Sequence, residues 1–242
     1  MEFLKRVHSK NILNWGSSNQ NAVVLSGDLT TSCEIDEFRS AYPERFISLG
    51  LMEQNMMSFA AGLAREGLLP LVHTFSVFMF RRALDQIEMS IAYPNLPVKI
   101  FGFLPGVTTP GGASHQALND IAVMRSLPNM SIIETGDATD VENVLEISKN
   151  INGPVYIRMI RGEIPRLFPK ENPTVFCESR KLSEGNDIAL LTSGICTEES
   201  LNVTNQLREK GITIQHLHIT TLKPFGDSLI EDALTKVKYG II

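Results

Sequence analysis

Cysteine is scarce in this chain and long apolar runs are missing, and each shortage removes a class of protein. Cys33, Cys177 and Cys196 are an odd, widely spaced trio without a C-x-x-C pair, so neither a disulfide framework nor a thiolate zinc site is expected. They read instead as small buried apolar residues. No apolar run reaches the roughly 20 residues that span a bilayer, and Met1 to Lys10 lacks the apolar stretch of a signal peptide. A cytoplasmic location is the expectation. Positive charge is in deficit, with a net charge of −5 and scattered basic residues, which argues against a nucleic-acid or anionic-lipid surface. What is present is balanced: 242 residues, 43% hydrophobic and 20% charged, the composition of a folded chain holding one large domain or a domain and a half.

Short apolar runs at 22–26, 69–74, 98–103, 131–134 and 154–157 alternate with helical patterns, the signature of an α/β fold. Runs such as Val98-Lys99-Ile100-Phe101 do not alternate cleanly with polar residues. That suits strands covered on both faces, so the fold class is α/β with a mostly parallel sheet and helices on both faces. One helix is expected from Glu53, with Met56, Phe59, Ala60 and Leu63 on a shared face and Gly67 as its stop. A second should run over 78–92, ended by Pro94 and Pro97. A third should start after Ser114 and a fourth after Asp137.

Residues 1–165 form the first expected domain. Over 166–185 the pattern dissolves among Pro169, Pro173 and Gly185, which reads as a linker. Part of a second α/β domain follows over 186–242: strands at 187–192 and 212–217, helices at 198–210 and after Pro224, and the start of a buried strand at the end of the sequence. The reading is of a domain cut short.

Chemistry concentrates in Phe46-Ile47-Ser48-Leu49-Gly50-Leu51-Met52-Glu53-Gln54-Asn55: a short strand, a glycine turn, then a carboxylate in the first turn of an apolar helix. Glu53 shares the stripe of Met56, Met57 and Ala60, so its carboxyl group should point to buried surface or an occupied cleft. Pattern alone favours a plainer alternative, a glutamate drawn to the positive end of the helix dipole and worth about 0.3–1 kcal/mol.

This run closely resembles the transketolase segment in which a glutamate follows a Gly-x-x turn. Further segments resemble that family in the same order: Ala60-Ala61-Gly62-Leu63-Ala64, Thr74-Phe75-Ser76-Val77-Phe78, Asp85-Gln86-Ile87, Ala92-Tyr93-Pro94-Asn95-Leu96, Ser114-His115-Gln116-Ala117 and Gly153-Pro154-Val155-Tyr156-Ile157-Arg158. The resemblance covers most of residues 20–165 and implies the pyrimidine-binding subunit of a split transketolase with thiamine diphosphate as cofactor. It implies that Glu53 hydrogen-bonds N1′ of the aminopyrimidine, for which burial helps the carboxyl group hold or share a proton. Phe75 and Phe78 match aromatic positions that pack on that ring, Asp28 and Leu51 match cofactor-contacting loops, and Arg81 stands where relatives sometimes carry another aromatic. His115 matches a substrate-facing histidine with a catalytic role, and its expected place in the first turn of a helix capped by Ser114 would keep it neutral. Arg161 matches a substrate-phosphate arginine, Ser32 lies in a loop near substrate, and Arg6 aligns loosely with a further phosphate contact. For the residues themselves plainer roles stay open: core packing for the phenylalanines, a solvated charge for Arg161, loop caps for Asp28 and Ser32.

Two departures matter. Transketolases carry Gly-Glu-Asp-Gly where this chain has Pro110-Gly111-Gly112, and another substrate-facing histidine is replaced near Phe103 or Leu104. Both changes remove sugar-hydroxyl partners, and such partners discriminate strongly between substrates. The Gly-Asp-Gly and asparagine motifs that hold Mg²⁺ and the diphosphate in the family are absent, so the resemblance implies that an amino-terminal partner subunit supplies them, in a heterotetramer of two of each chain. The activity implied is transfer of a two-carbon ketol unit between sugars or sugar phosphates. A deoxyxylulose-phosphate synthase-like or 2-oxo acid dehydrogenase beta-like subunit and a non-catalytic assembly paralogue are the alternatives.

Overall fold

The computed structural model describes residues 2–242. Their order is β1 (Glu2–Lys5), α1 (Val7–Ser18), β2 (Ala22–Ser26), α2 (Asp36–Ala41), β3 (Phe46–Ser48), α3 (Glu53–Arg65), β4 (Leu69–Phe75), α4 (Ser76–Arg82), α5 (Leu84–Gln86), a π-type turn (Ile87–Ala92), β5 (Lys99–Phe103), α6 (Asp120–Ser126), β6 (Ser131–Glu134), α7 (Ala138–Asn150), β7 (Val155–Met159), β8 (Glu163–Arg166), β9 (Arg180–Ser183), β10 (Ile188–Thr192), α8 (Cys196–Glu209), β11 (Ile214–His218), β12 (Thr221–Lys223), α9 (Ser228–Lys236) and β13 (Tyr239–Ile241). Seven strands form the main sheet in the order β12-β6-β7-β5-β4-β2-β3. Six run parallel and only β12 is antiparallel. Every residue of β2, β4, β5 and β7 is buried, as unalternating apolar strands between two helical layers require.

α3 starts at the glutamate the sequence indicates, but its buried face differs. Glu53, Met56, Met57, Ala60, Ala61 and Ala64 turn inward, while Phe59 is 40% exposed, because the stripe continues through small alanines that let the helix sit close on the sheet. The helix expected over 78–92 is broken at Ala83, whose φ of −126° leaves the helical region, and resumes as α5 and the π-type turn. Only Cys33 is buried; Cys177 is half-buried and Cys196 exposed at the start of α8, a correction to the reading of all three as core residues.

A second sheet, β13-β10-β11-β9, carries the rest of the chain. The linker expected over 166–185 is pinned by hydrogen bonds, and its residues 180–183 form β9. Asp137 caps α7 and its other oxygen accepts the backbone N–H groups of Leu167 and Phe168, both at 3.0 Å. Asp140 gathers Arg180, His218 at 2.9 Å and Thr174 at 2.6 Å. β12 then returns to extend the first sheet. The two units are thus tied by buried charge as well as by backbone pairing.

A buried histidine pair joins β4 of the main sheet, through His73, to α1, through His8. Nδ1 of His73 lies 3.0 Å from the carbonyl oxygen of Leu71, an acceptor, so Nδ1 carries the proton and Nε2 accepts from Nε2–H of His8 at 3.1 Å. Phe101 stacks on His73 at 4.6 Å. Burial pushes both imidazoles down, His73 to about 3. In the unfolded chain a histidine protonates near about 6.5. Stability from these neutral rings is therefore complete above that value and falls as pH drops toward about 3, where the unfolded state binds more protons, by at most about 1.4 kcal/mol per pH unit for each ring. Urea unfolding between pH 7 and 4 should show a shallower decline in His73→Asn than in the parent chain. Equal slopes would contradict this account.

Candidate active site

Ligands of parallel α/β sheets bind outside the carboxyl ends of the strands, and the candidate residues converge on that edge. Phe75, Phe103 and Met159 stand in register at the ends of β4, β5 and β7. Beside them, Gly27 follows β2 so closely that an added Cβ would lie 3.5 Å from both Met56 Cε and Thr74 Oγ1, and 3.7 Å from the Gly50 carbonyl. The β2 loop and the turn into α3 are therefore packed together. Gly50, at φ 72°, makes that turn in the left-handed region where glycine is favoured, and α3 begins at Glu53.

Glu53 is only 2% exposed. Its Oε1 accepts a hydrogen bond from Nη1 of Arg82 at 2.6 Å, and the Arg82 guanidinium lies 3.7 Å over the ring centroid of Phe78. Phe75 is Phe78's neighbour at 5.8 Å in a near-parallel stack, and His115 meets Phe78 edge-on at 5.4 Å. One connected cluster thus joins Glu53, Arg82, Phe78, Phe75 and His115. The open cleft at the start of α3, about 580 Å³, is lined by Leu51, Met52, Glu53, Gln54, Arg81 and Arg82; Leu51 is 66% exposed there. Sequence reasoning missed Arg82. Its signal was the i,i+4 spacing from Phe78 on one helix, which puts a cation over the ring.

The loop that carries His115 corrects one expectation. α6 begins at Asp120, not after Ser114, because Ala117 exchanges both backbone hydrogen bonds with Gly106, at 2.9 and 3.0 Å, and so cannot be helical. His115 lies in a turn, half-buried, with Nδ1 2.9 Å from Ser114 Oγ. No helix dipole acts on it. Arg81, expected where relatives sometimes carry an aromatic, fastens this loop by donating to the Ala113 carbonyl at 2.7 Å. Phe103 is wholly buried against the histidine pair, whereas Leu104 lines a second cleft.

That second cleft, about 370 Å³, is formed by Leu104, Pro105, Thr108, Arg161, Gly162 and Ile195. Arg161 is exposed and, among the described residues, no hydrogen bond or ion pair engages it. Glu34 ties the β2 loop to this place by accepting the Gly162 N–H at 2.9 Å; burial nevertheless raises its carboxyl above the usual range. Asp28 is exposed, at φ 63°, and Ser32 half-buried in the same loop; neither lines the two clefts. Arg6 is committed elsewhere, to Asp36 at 2.6 Å and Ser9 at 3.1 Å. Arg158 is also structural, buried between Asp120 at 2.8 Å and Glu134, and Glu134 takes Ser193 of the second unit at 2.5 Å.

A parallel α/β domain with a buried carboxylate and an aromatic cluster at its ligand-binding edge defines the class, and comparison with known proteins gives the family. Residues 7–166 match the transketolase pyrimidine-binding domain and residues 178–242 the transketolase C-terminal domain. The chain belongs to the transketolase family. It is 39% identical over 213 residues to a putative uncharacterized transketolase family protein of Sinorhizobium fredii, covering 88% of this chain and 62% of that one. It is 32% identical over 220 residues to a 6-deoxy-6-sulfo-D-fructose transketolase subunit of a Clostridium species, covering 90% and 68%. A solved structure described as a split gene transketolase, inactive beta4 tetramer, superposes with a TM-score of 0.89 at 35% identity, covering 97% of this chain and 76% of that one. The chain thus spans somewhat under two thirds of the Sinorhizobium relative's length.

Family membership implies thiamine diphosphate and a divalent metal, and the residues here fit the pyrimidine end of that cofactor. A buried acceptor carboxylate beside an aromatic face is what a flat, nitrogen-rich ring requires, and a flat, nitrogen-rich cation already bridges the two. Among the described residues, no group of three or more His, Cys, Asp or Glu side chains is placed to hold a metal ion, and no helix is long and apolar enough to cross a membrane.

Loop packing makes His115 testable without any ligand. A Cβ on Gly111 would come within 2.8 Å of His115 Cβ and Cγ, so Gly111→Ala should displace the imidazole from Phe78. The His115 ring resonances in an NMR spectrum should shift while the thermal midpoint changes by less than about 2 °C, as for other exposed substitutions. Unchanged ring shifts would refute the contact.

Proposed function

We propose that the chain is the pyrimidine-side subunit of a thiamine-diphosphate-dependent, transketolase-like transferase that moves a two-carbon ketol unit between sugars or sugar phosphates. The observation that carries the proposal is the buried Glu53 carboxylate beside the Phe78 face. When bound, the cofactor supplies the nucleophilic carbon and the electron sink.

The chain's own residues do the rest. Glu53 holds a proton against the ring nitrogen of the aminopyrimidine, in a site where burial excludes competing water. Phe78 orients the ring by an offset stack worth about 0.5–1.5 kcal/mol, with Phe75 behind it. Leu51 and Asp28 flank the cofactor from their two loops. His115 has Nδ1 beside Ser114, which leaves Nε2 to exchange a proton with a substrate hydroxyl. Arg161, unpaired and exposed, suits bidentate capture of a substrate phosphate, and Ser32 lies in the loop that Glu34 holds near it.

The Mg²⁺ and the diphosphate are assigned to an amino-terminal partner subunit, in a cytoplasmic assembly of two of each chain; likeness to a protein described as a transketolase subunit and to a split gene transketolase supports the need for a partner subunit. The Pro110-Gly111-Gly112 loop lacks an acidic side chain, so the sugar accepted should differ from those of enzymes that carry one. Reconstituted with its partner, Glu53→Ala should lose about 10²–10⁴-fold in ketol-transfer turnover. A loss within about tenfold would remove Glu53 from its role. Release of CO₂ from pyruvate by the wild-type complex would move the chain to the decarboxylating branch.

A further inference from the structure

Arg82 occupies both contacts that the proposed function gives to the aminopyrimidine. Nη1 donates to Glu53 at 2.6 Å, where the ring nitrogen would sit, and the guanidinium carbon lies 3.7 Å from the Phe78 ring centroid, at stacking distance. The other ring neighbours of Phe78, Phe75 and His115, lie farther off at 5.8 and 5.4 Å, so Arg82 is the group that covers a face of Phe78 at stacking distance. Two flat groups cannot share it.

The partners differ in freedom. Glu53 is fixed, its side chain 2% exposed in the first turn of α3, whereas the Arg82 side chain is 45% exposed at the end of α4. Arg82 can therefore swing into the cleft that it lines, and Glu53 cannot. Its neighbour Arg81 is held by the Ala113 carbonyl and does not take its place. An isolated buried carboxylate is costly, so the free chain needs such a cation until a ligand arrives.

We infer that Arg82 is a placeholder: it neutralises Glu53 and covers Phe78 in the free subunit, and the aminopyrimidine displaces it when the cofactor binds. This rests on the thiamine diphosphate reading above. It makes Arg82 a competitor of the cofactor, not a permanent half of the site. A structural ion pair would behave oppositely, since it would hold Glu53 in place for the ring and its loss would weaken binding.

The test is calorimetric titration of thiamine diphosphate, with saturating Mg²⁺, into complexes reconstituted with wild-type, Arg82→Met and Arg82→Lys chains. Methionine keeps the apolar cover but lacks the cation. Its complex should bind about three- to tenfold more tightly than wild type, as expected from releasing a half-exposed cation contact, with lysine between the two. In the free chain, Arg82→Met should lower the thermal midpoint at pH 8, and adding Glu53→Gln should restore it. Should the methionine chain fail to fold, the lysine chain carries the comparison. Binding equal to or weaker than wild type in the substituted complexes overturns the placeholder. If the wild-type complex takes up no thiamine diphosphate, the functional reading falls first and the placeholder with it.

Discussion

A carboxylate removed from water must be paired, and that requirement at Glu53 organises this end of the molecule. The turn at Gly50 delivers the glutamate to the start of α3, the alanine-rich face of that helix draws it down onto the sheet, and α4 returns Arg82 to meet it. Phe78 lies one helical turn before Arg82 and gives the guanidinium a second partner. Polar groups elsewhere obey the same rule. Lys99 is buried yet donates to the carbonyls of Ile151 and Gly153 at 2.7 and 2.8 Å, and burial lowers its ammonium to about 8. The difference is that Lys99 is enclosed with its acceptors, whereas the partner of Glu53 faces an open cleft.

Much of the fold was legible because its signals are local. Apolar runs without alternation mark strands covered on both sides, and β2, β4, β5 and β7 are buried along their whole lengths. Asp137 is written plainly as a cap and acts as one. The failures share a cause in tertiary contacts. Phe59 looks like a core residue by periodicity, but the small side chains of Ala60, Ala61 and Ala64 decide which face of α3 approaches the sheet. Ser114 looks like a helix start, yet the pairing of Ala117 with Gly106 delays the helix to Asp120. The prolines and glycine of 166–185 mark a linker, but nothing local reveals that Asp137, Thr139 and Asp140 hold it.

The candidate site divides in the same way. Glu53, Phe75, Phe78 and His115 were named from motifs and lie in one cluster. Arg161 falls in a separate cleft: the first lies between the start of α3 and the end of α4, the second among the loops after β5, β7 and β10. Arg6 and Arg158 show why an arginine in a motif is weak evidence alone: each meets carboxylates distant in sequence. Arg82 escaped notice because its importance depends on a glutamate 29 residues away. Its ion pair has no local signature.

The central claim is that this chain holds only the pyrimidine half of a cofactor site. Equilibrium dialysis of radiolabelled thiamine diphosphate with Mg²⁺ tests it directly, comparing the chain alone with the chain joined to an amino-terminal transketolase subunit. The account predicts retention by the pair and none by this chain alone. Saturable retention by the chain alone, as tight as in the complex, would contradict it.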